Sequence, residues 1–230
     1  MKKGIMMTPE ELIKKFPAAA EYLIQIFIVK RDYGVVKNSV IASRLGVSKP
    51  AVTQAMNRLK RYNLIEQDLY GAINLTPFGR LNAAVFLKRH YLLEHLLIKK
   101  LDYNWVKSDE EASRLQASIS DSFTDFLYEK LGRPQTCPHG NPFPDSPSEN
   151  TIIQAIGINN AAVGEPLEVV RITEEGEASE GLLQFCYENN IRPGEKIEVI
   201  EAEDSGILVN TGAVKNLLIP SDFAGFIRCS

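Results

Sequence analysis

Residues 38–65 read NSVIASRLGVSKPAVTQAMNRLKRYNLI and set two short helices around a glycine turn. Ile41, Ala42 and Leu45 give the first helix an apolar face, and Gly46 supplies the tight turn. Ser48 stands where an N-cap hydroxyl accepts a free backbone N–H, and Pro50 falls in the first helical turn, where its missing N–H costs nothing. Val52, Ala55, Met56 and Leu59 then recur at three- and four-residue steps. Lys49, Thr53, Gln54, Asn57, Arg58 and Lys60 take the opposite side. The stretch reads as a helix-turn-helix whose polar face can reach DNA.

Working outward, Leu64-Ile65-Glu66-Gln67 and Ala72-Ile73-Asn74-Leu75 are strand-like runs around Asp68-Leu69-Tyr70-Gly71. A β-hairpin after a recognition helix is a wing. Thr76 and Pro77 then read as the cap and first position of a further helix. A generic helical domain with a merely solvated polar face is the plainer alternative. Turn, cap, hairpin and charge together favour winged-helix DNA binding. Ahead of the motif, Pro17 to Ile28 reads as an apolar helix that completes a three-helix core.

The chain of 230 residues has ordinary apolar content, enough for two or three modest domains. No apolar run approaches the ~20 residues of a membrane span, and the opening residues turn polar at Thr8-Pro9-Glu10-Glu11, unlike a secretory signal. Cys137, Cys186 and Cys229 are too few and scattered for a disulfide framework. A cytoplasmic protein without membrane partners is expected. The net charge of −3 conceals an asymmetry along the chain. Residues 1–80 carry 13 basic and 6 acidic side chains, a net of +7, whereas residues 81–150 carry −2 and residues 151–230 carry −8. The positive end coincides with the helix-turn-helix, where Lys and Arg displace counterions from phosphate.

Residues 80–100 form a long amphipathic helix with Leu81, Val85, Leu92, Leu93, Leu96 and Leu97. A second helix is expected from Ser108 to Leu131, with Asp109, Glu110 and Glu111 at its positive end. Two such helices cannot bury their apolar surface alone, so pairing with a second copy is expected, which also spaces two recognition helices about one DNA turn apart. Prolines then interrupt periodicity between Gly132 and Asn150, and alternating runs follow at Pro166–Ile172, Lys196–Ile200, Gly206–Asn210 and Gly225–Arg228, with a short helix at Leu182–Asn190. The expected fold class is α+β. It comprises a winged helix-turn-helix over 1–80, a helical dimerisation and metal-binding domain over 81–133, a Pro-rich linker over 134–151 and a small SH3-like β-barrel over 152–230.

His90 and Glu94 are four apart on one helix, so their side chains can converge on one cation. Cys137-Pro138-His139 adds a thiolate and an imidazole from a stiff loop. Together they suit a first-row transition metal, with zinc, Fe(II) and Mn(II) differing mainly in their liking for sulfur. The alternative is a surface helical pair and an unrelated loop thiol. His95 points elsewhere and reads as structural.

The winged helix, the LTPFGR and KRHYLLEHLL stretches, the Glu111-Ala112-Ser113-Arg114-Leu115 opening and the CPHGNPFP loop together resemble the DtxR/MntR family of metal-dependent transcriptional repressors. The resemblance implies a homodimer on a palindromic double-stranded operator, metal sites in the dimerisation domain and a C-terminal domain like the FeoA protein. His90 and Glu94 then match two ligands of an ancillary site. Asp109 stands where a third ligand is usually His, Cys137 and His139 match a typical loop, and Glu175 is the acid chosen among Glu174, Glu175, Glu177 and Glu180. Glu21 matches the first ligand of the primary, regulatory site. Its other ligands are replaced by Ser113, Gln116 and Ala117, which provide no anionic donor.

In the recognition helix the resemblance points to Ser48, Pro50 and Gln54 as base-proximal. Gln54 can pair with adenine, Pro50 can meet a thymine methyl, and Ser48, Lys49, Thr53 and Arg58 can bind phosphate. The expected function is a metal-responsive repressor of metal-homeostasis genes, with a metal-independent DNA-binding regulator as the alternative. A hydrolytic metalloenzyme would need an open metal position and a general base, and no further motif supplies one.

Overall fold

The computed structural model describes residues 7–68 and 71–230. The wing turn at Leu69-Tyr70 lies outside the described residues. The chain divides into two compact units, one formed by residues up to Leu93 with Glu110–Lys130, the other by Glu94–Asp109 with Leu131–Ser230.

The first unit opens with α1 (Pro9–Lys15), started by a capping box in which Thr8 Oγ1 accepts from the Glu11 N–H and the Glu11 carboxylate accepts from the Thr8 N–H. Helix α2 (Ala19–Tyr33) is the apolar helix expected ahead of the motif, though it starts at Ala19 and runs past Ile28 to Gly34, whose left-handed φ of 76° ends it. Leu23, Ile26 and Phe27 bury its inner face. Helices α3 (Asn38–Arg44) and α4 (Lys49–Arg61) flank the Gly46 turn, with Ser48 accepting from the Ala51 N–H. Val52, Ala55, Met56 and Leu59 are buried, as their spacing requires.

Strands β1 (Ile65–Glu66) and β2 (Asn74–Leu75) pair antiparallel, Ile65 opposite Leu75, and form the base of the wing. The Ile73 N–H donates to the Val36 carbonyl at 2.9 Å, tying the wing to the approach of α3. Thr76 caps α5 (Pro77–Leu101) by accepting from the Gly79 N–H, while its own hydroxyl donates to the Asn63 carbonyl. The helix expected over Ser108–Leu131 is broken into α6 (Ser108–Leu115) and α7 (Asp121–Lys130). Ser120 accounts for the break: its hydroxyl accepts from the Phe123 N–H and starts a new helix.

In the second unit, the Pro-rich segment is packed over residues 137–143, with Cys137, His139, Asn141 and Phe143 buried. Helix α8 (Glu149–Ile153) and β3 (Ile156–Gly157) follow. Then come β4 (Pro166–Ile172), α9 (Glu174–Glu177), α10 (Leu182–Glu188), β5 (Lys196–Glu203), β6 (Gly206–Thr211), β7 (Leu217–Pro220), α11 (Ser221–Ala224) and β8 (Ile227–Cys229). The sheet is antiparallel in the order β3-β8-β4-β5-β6-β7. Leu167, Val169, Ile197, Val199, Val209 and Ile227 share one core with Trp105, Leu182 and Cys186. Among the described residues, no helix is long and apolar enough to cross a membrane.

Gly79 marks the tightest joint of the first unit, since a Cβ there would lie 1.8 Å from the Leu64 carbonyl oxygen. Both sides of that contact are backbone and cannot yield cheaply. Gly79→Ala is expected to lower stability by roughly 2–4 kcal/mol, measured by urea unfolding; a loss under ~0.5 kcal/mol would contradict the close approach.

Candidate metal centre and DNA face

The CPHGN loop is a tight turn closed by the Cys137 N–H donating to the Asn141 carbonyl at 2.8 Å and the Gly140 N–H to the Cys137 carbonyl at 3.0 Å. Gly140 sits at φ +93°, and a Cβ there would come 2.2 Å from the Val170 carbonyl oxygen on β4. Only glycine lets the loop lie against that strand. The Ile172 N–H then donates to the His139 carbonyl at 2.9 Å, which seats the imidazole at the end of β4.

The His139 side chain is fully buried, and its Nε2 lies 3.2 Å from the Trp105 carbonyl oxygen. A carbonyl only accepts, so Nε2 carries the hydrogen and Nδ1 presents its lone pair in the neutral ring. Nδ1 faces Glu94 Oε1 at 3.0 Å and Glu177 Oε1 at 3.6 Å. The Glu94 contact is close yet misaligned, and Nδ1 makes no hydrogen bond. Ligand atoms of Glu94, Cys137 and His139 lie within 4.8 Å of one another, and all three residues are buried. A buried nitrogen without a hydrogen bond, converging with carboxylate oxygen and sulfur, fits a transition-metal ion.

A chain of polar contacts sets Glu177. Arg171 Nη1 donates to Asn141 Oδ1 at 3.1 Å, and Asn141 Nδ2 donates to the Ile172 carbonyl and to Glu177 Oε1. Arg171 Nη1 is also 3.5 Å from Glu174 Oε2. The Trp105 ring backs the His139 ring at 4.5 Å between centroids. His95 has the structural role expected of it: Nε2 donates to the Thr136 carbonyl at 2.6 Å, and burial pushes its pKa down. Burial raises the Cys137 thiol well above its ordinary value, and the charges of Glu94, Glu177 and Glu174 add to this. Burial likewise raises Glu177, reinforced by Glu94, Asp109 and Glu174. Burial and mutual repulsion thus both favour the protonated forms of Cys137 and Glu177.

The structure places the expected ligands differently. Glu94, Cys137 and His139 come together, while Asp109 opens α6 in the same unit, near enough to raise Glu177 electrostatically. His90 is buried with Nδ1 3.1 Å from Gln116 Oε1, which leaves Nε2 as its remaining ring nitrogen. Glu175 is half-buried on α9, and the buried acid beside His139 is Glu177. Glu21 is exposed on α2, and among the described residues no three-ligand group includes it. Reading the residues named Glu177 among four candidate acids but chose Glu175, and it missed Asn141, Arg171 and Trp105. The one available signal for Glu177 is Thr173, which caps α9 by accepting from the Gly176 N–H and turns Gly176 and Glu177 inward.

On the DNA side, Ser48, Lys49, Pro50, Thr53 and Gln54 are exposed on one face of α4. Arg58 lies on the same helix, and its guanidinium donates to the Lys15 carbonyl at 2.7 Å. Lys37, Asn38, Ser39, Asn57, Lys60 and Gln67 line a concavity of about 440 Å³ beside Thr53, between the two motif helices and the wing.

A winged helix presenting polar side chains, in a chain that also encloses an N/O/S donor set, defines a DNA-binding regulator of the metal-dependent class. Residues 16–73 match the N-terminal DNA-binding domain of the iron-dependent repressors, and residues 76–145 match their metal-binding and dimerisation domain. The chain belongs to the iron-dependent repressor family. It is 24% identical to the iron-dependent repressor IdeR of Mycobacterium leprae, over 90% of this chain and 94% of that protein. It is 27% identical to the diphtheria toxin repressor of Corynebacterium efficiens, over 90% of this chain and 92% of that one. A solved manganese-dependent transcriptional repressor in complex with manganese superposes with a TM-score of 0.81 at 27% identity, covering 92% of this chain and 98% of that one. The T. acidophilum IdeR structure superposes at 0.73 with 26% identity, over 92% and 96% of the two chains.

A raised thiol must lose its proton to ligate, so metal affinity rises with pH below the folded Cys137 value. Zinc titrated into the protein at pH 7 is expected to release about one proton or more, read by calorimetry in buffers of different ionisation enthalpy. No net release, or an affinity that falls with rising pH, would contradict Cys137 as a ligand.

Proposed function

We propose that the chain is a homodimeric repressor whose operator affinity is set by a divalent transition metal held by Glu94, Cys137, His139 and Glu177. The observation that carries this reading is the buried His139 Nδ1, without a hydrogen bond and aimed at Glu94 and Glu177. Cys137 favours zinc or Fe(II) over Mn(II), because a thiolate is the softest donor of the set. Asp109, of the same unit as Glu94, extends the donor set. Residues 1–80 read a palindromic duplex, 81–133 pair two copies, 134–151 deliver the loop ligands, and 152–230 supply Glu177. Leu81, Leu115, Phe123 and Phe126 are exposed apolar side chains of the first unit and supply surface for a second copy to cover. The genes governed are those of metal homeostasis in the cytoplasm.

The primary site of the family is a poor fit to this chain. Ser113 and Ala117 lack anionic donors, and the Gln116 carboxamide is hydrogen-bonded to His90. Regulation then passes to the Glu94 centre, where metal strengthens operator binding only as far as it prefers the DNA-competent arrangement. The bonded Gln116 also favours a second reading, a regulator that binds DNA without exchanging metal.

A duplex selected from a random library by the zinc-loaded protein serves as the operator probe. Removing metal with chelator is expected to weaken binding by about 5–150-fold, with zinc restoring it and His139→Ala abolishing the response. Equal affinity with and without chelator, once metal analysis confirms removal, would reject metal control in favour of the second reading.

A further inference from the structure

Helix α1 is held at both ends by arginines of other helices. At its first turn, Glu10 Oε1 lies 2.7 Å from Nη2 of Arg89 on α5, and the same Nη2 lies 2.8 Å from Asp121 Oδ1 at the start of α7. The Arg89 side chain is fully buried, and its Nε and Nη1 make no hydrogen bond, so these two carboxylates neutralise it. Partial burial pushes the Glu10 carboxyl up, yet its backbone hydrogen bond and the Arg89 contact outweigh this and hold it below its ordinary value.

At the other end, Nη2 of Arg58 on α4 donates to the carbonyl of Lys15, the last residue of α1, at 2.7 Å. Its guanidinium also lies over the ring of Phe16, the C-cap, 4.3 Å from the centroid. Between the two ends Leu12 is fully buried. A helix of seven residues thus spans about 10 Å between the dimerisation helices and the recognition helix. It precedes residue 16, where the match to the family's DNA-binding domain begins.

The geometry points to α1 as a strut that positions the recognition helix against α5 and α7, with Arg89 as its built-in cation and Arg58 as the positioning residue on α4. A covalently held charge does not exchange, so the strut is engaged whether or not metal is present. This is the coupling that Ser113, Gln116 and Ala117 cannot obtain from an ion. The inference rests on the repressor reading and concerns a different part of the molecule from the Glu94 centre.

Operator affinity for the selected duplex, measured by fluorescence anisotropy with saturating zinc, tests it in the full chain. Glu10→Gln and Phe16→Leu are each expected to weaken binding by about tenfold, and the double variant by no more than the weaker-binding single one, because both release one strut. Amide hydrogen exchange read in parallel should show faster exchange confined to α1 in the variants, and α1 protection unchanged by chelator in the wild type. Wild-type affinity in both single variants overturns the strut, as does α1 protection that collapses with chelator. A wild-type protein that selects no duplex fails the repressor reading itself, which separates the two.

Discussion

A buried imidazole whose Nδ1 faces carboxylates without a hydrogen bond is the constraint around which the second unit is arranged. The Trp105 carbonyl fixes the hydrogen of His139 on Nε2, and that single contact leaves Nδ1 facing two carboxylates and a thiol in a place sealed from solvent. Without a cation, like charges crowd together, and burial raises both the Cys137 thiol and the Glu177 carboxyl above their ordinary values. With one, the same crowding becomes a coordination sphere. The charge burden of the site is thus both its cost in the metal-free protein and its affinity in the loaded one.

The surrounding structure serves that constraint in layers. Gly140 permits the loop to touch β4, β4 carries Arg171, Arg171 orients Asn141, and Asn141 holds Glu177. Each partner is buried, so each hydrogen bond is protected from competition with water and expensive to leave unmade. The first unit handles its buried charge differently. There Arg89 is neutralised by Glu10 and Asp121, side chains that cannot diffuse away. The first unit therefore holds a permanent cation, where the reading proposed for the second gives it an exchangeable one.

The recognition helix was legible because its signals are local: the Ser48 cap, the Gly46 turn and the Val52–Leu59 periodicity all act within a few residues. The first half of strand β4 was legible for the same reason, its alternation over Pro166–Val169 matching its burial. The break between α6 and α7 was not, because apolar spacing continues through Ile119 while a single Ser120 hydroxyl decides otherwise. Glu177 was obscured among four nearby glutamates, since only the tertiary placement of the α9 turn selects one of them. Arg58 reads as a phosphate candidate from its place on the helix, and its hydrogen bond to Lys15, 43 residues earlier in the chain, is not visible there. Arg171 and Asn141 act through contacts about 30 residues apart, beyond the reach of any pattern in the strand or loop alone.

X-ray absorption at the zinc edge of the protein loaded with one equivalent of zinc addresses the donor set most directly. The account predicts one sulfur near about 2.3 Å from Cys137, with imidazole nitrogen and carboxylate oxygen at about 2.0–2.2 Å. A first shell without sulfur, or one unchanged by Cys137→Ser, would contradict it.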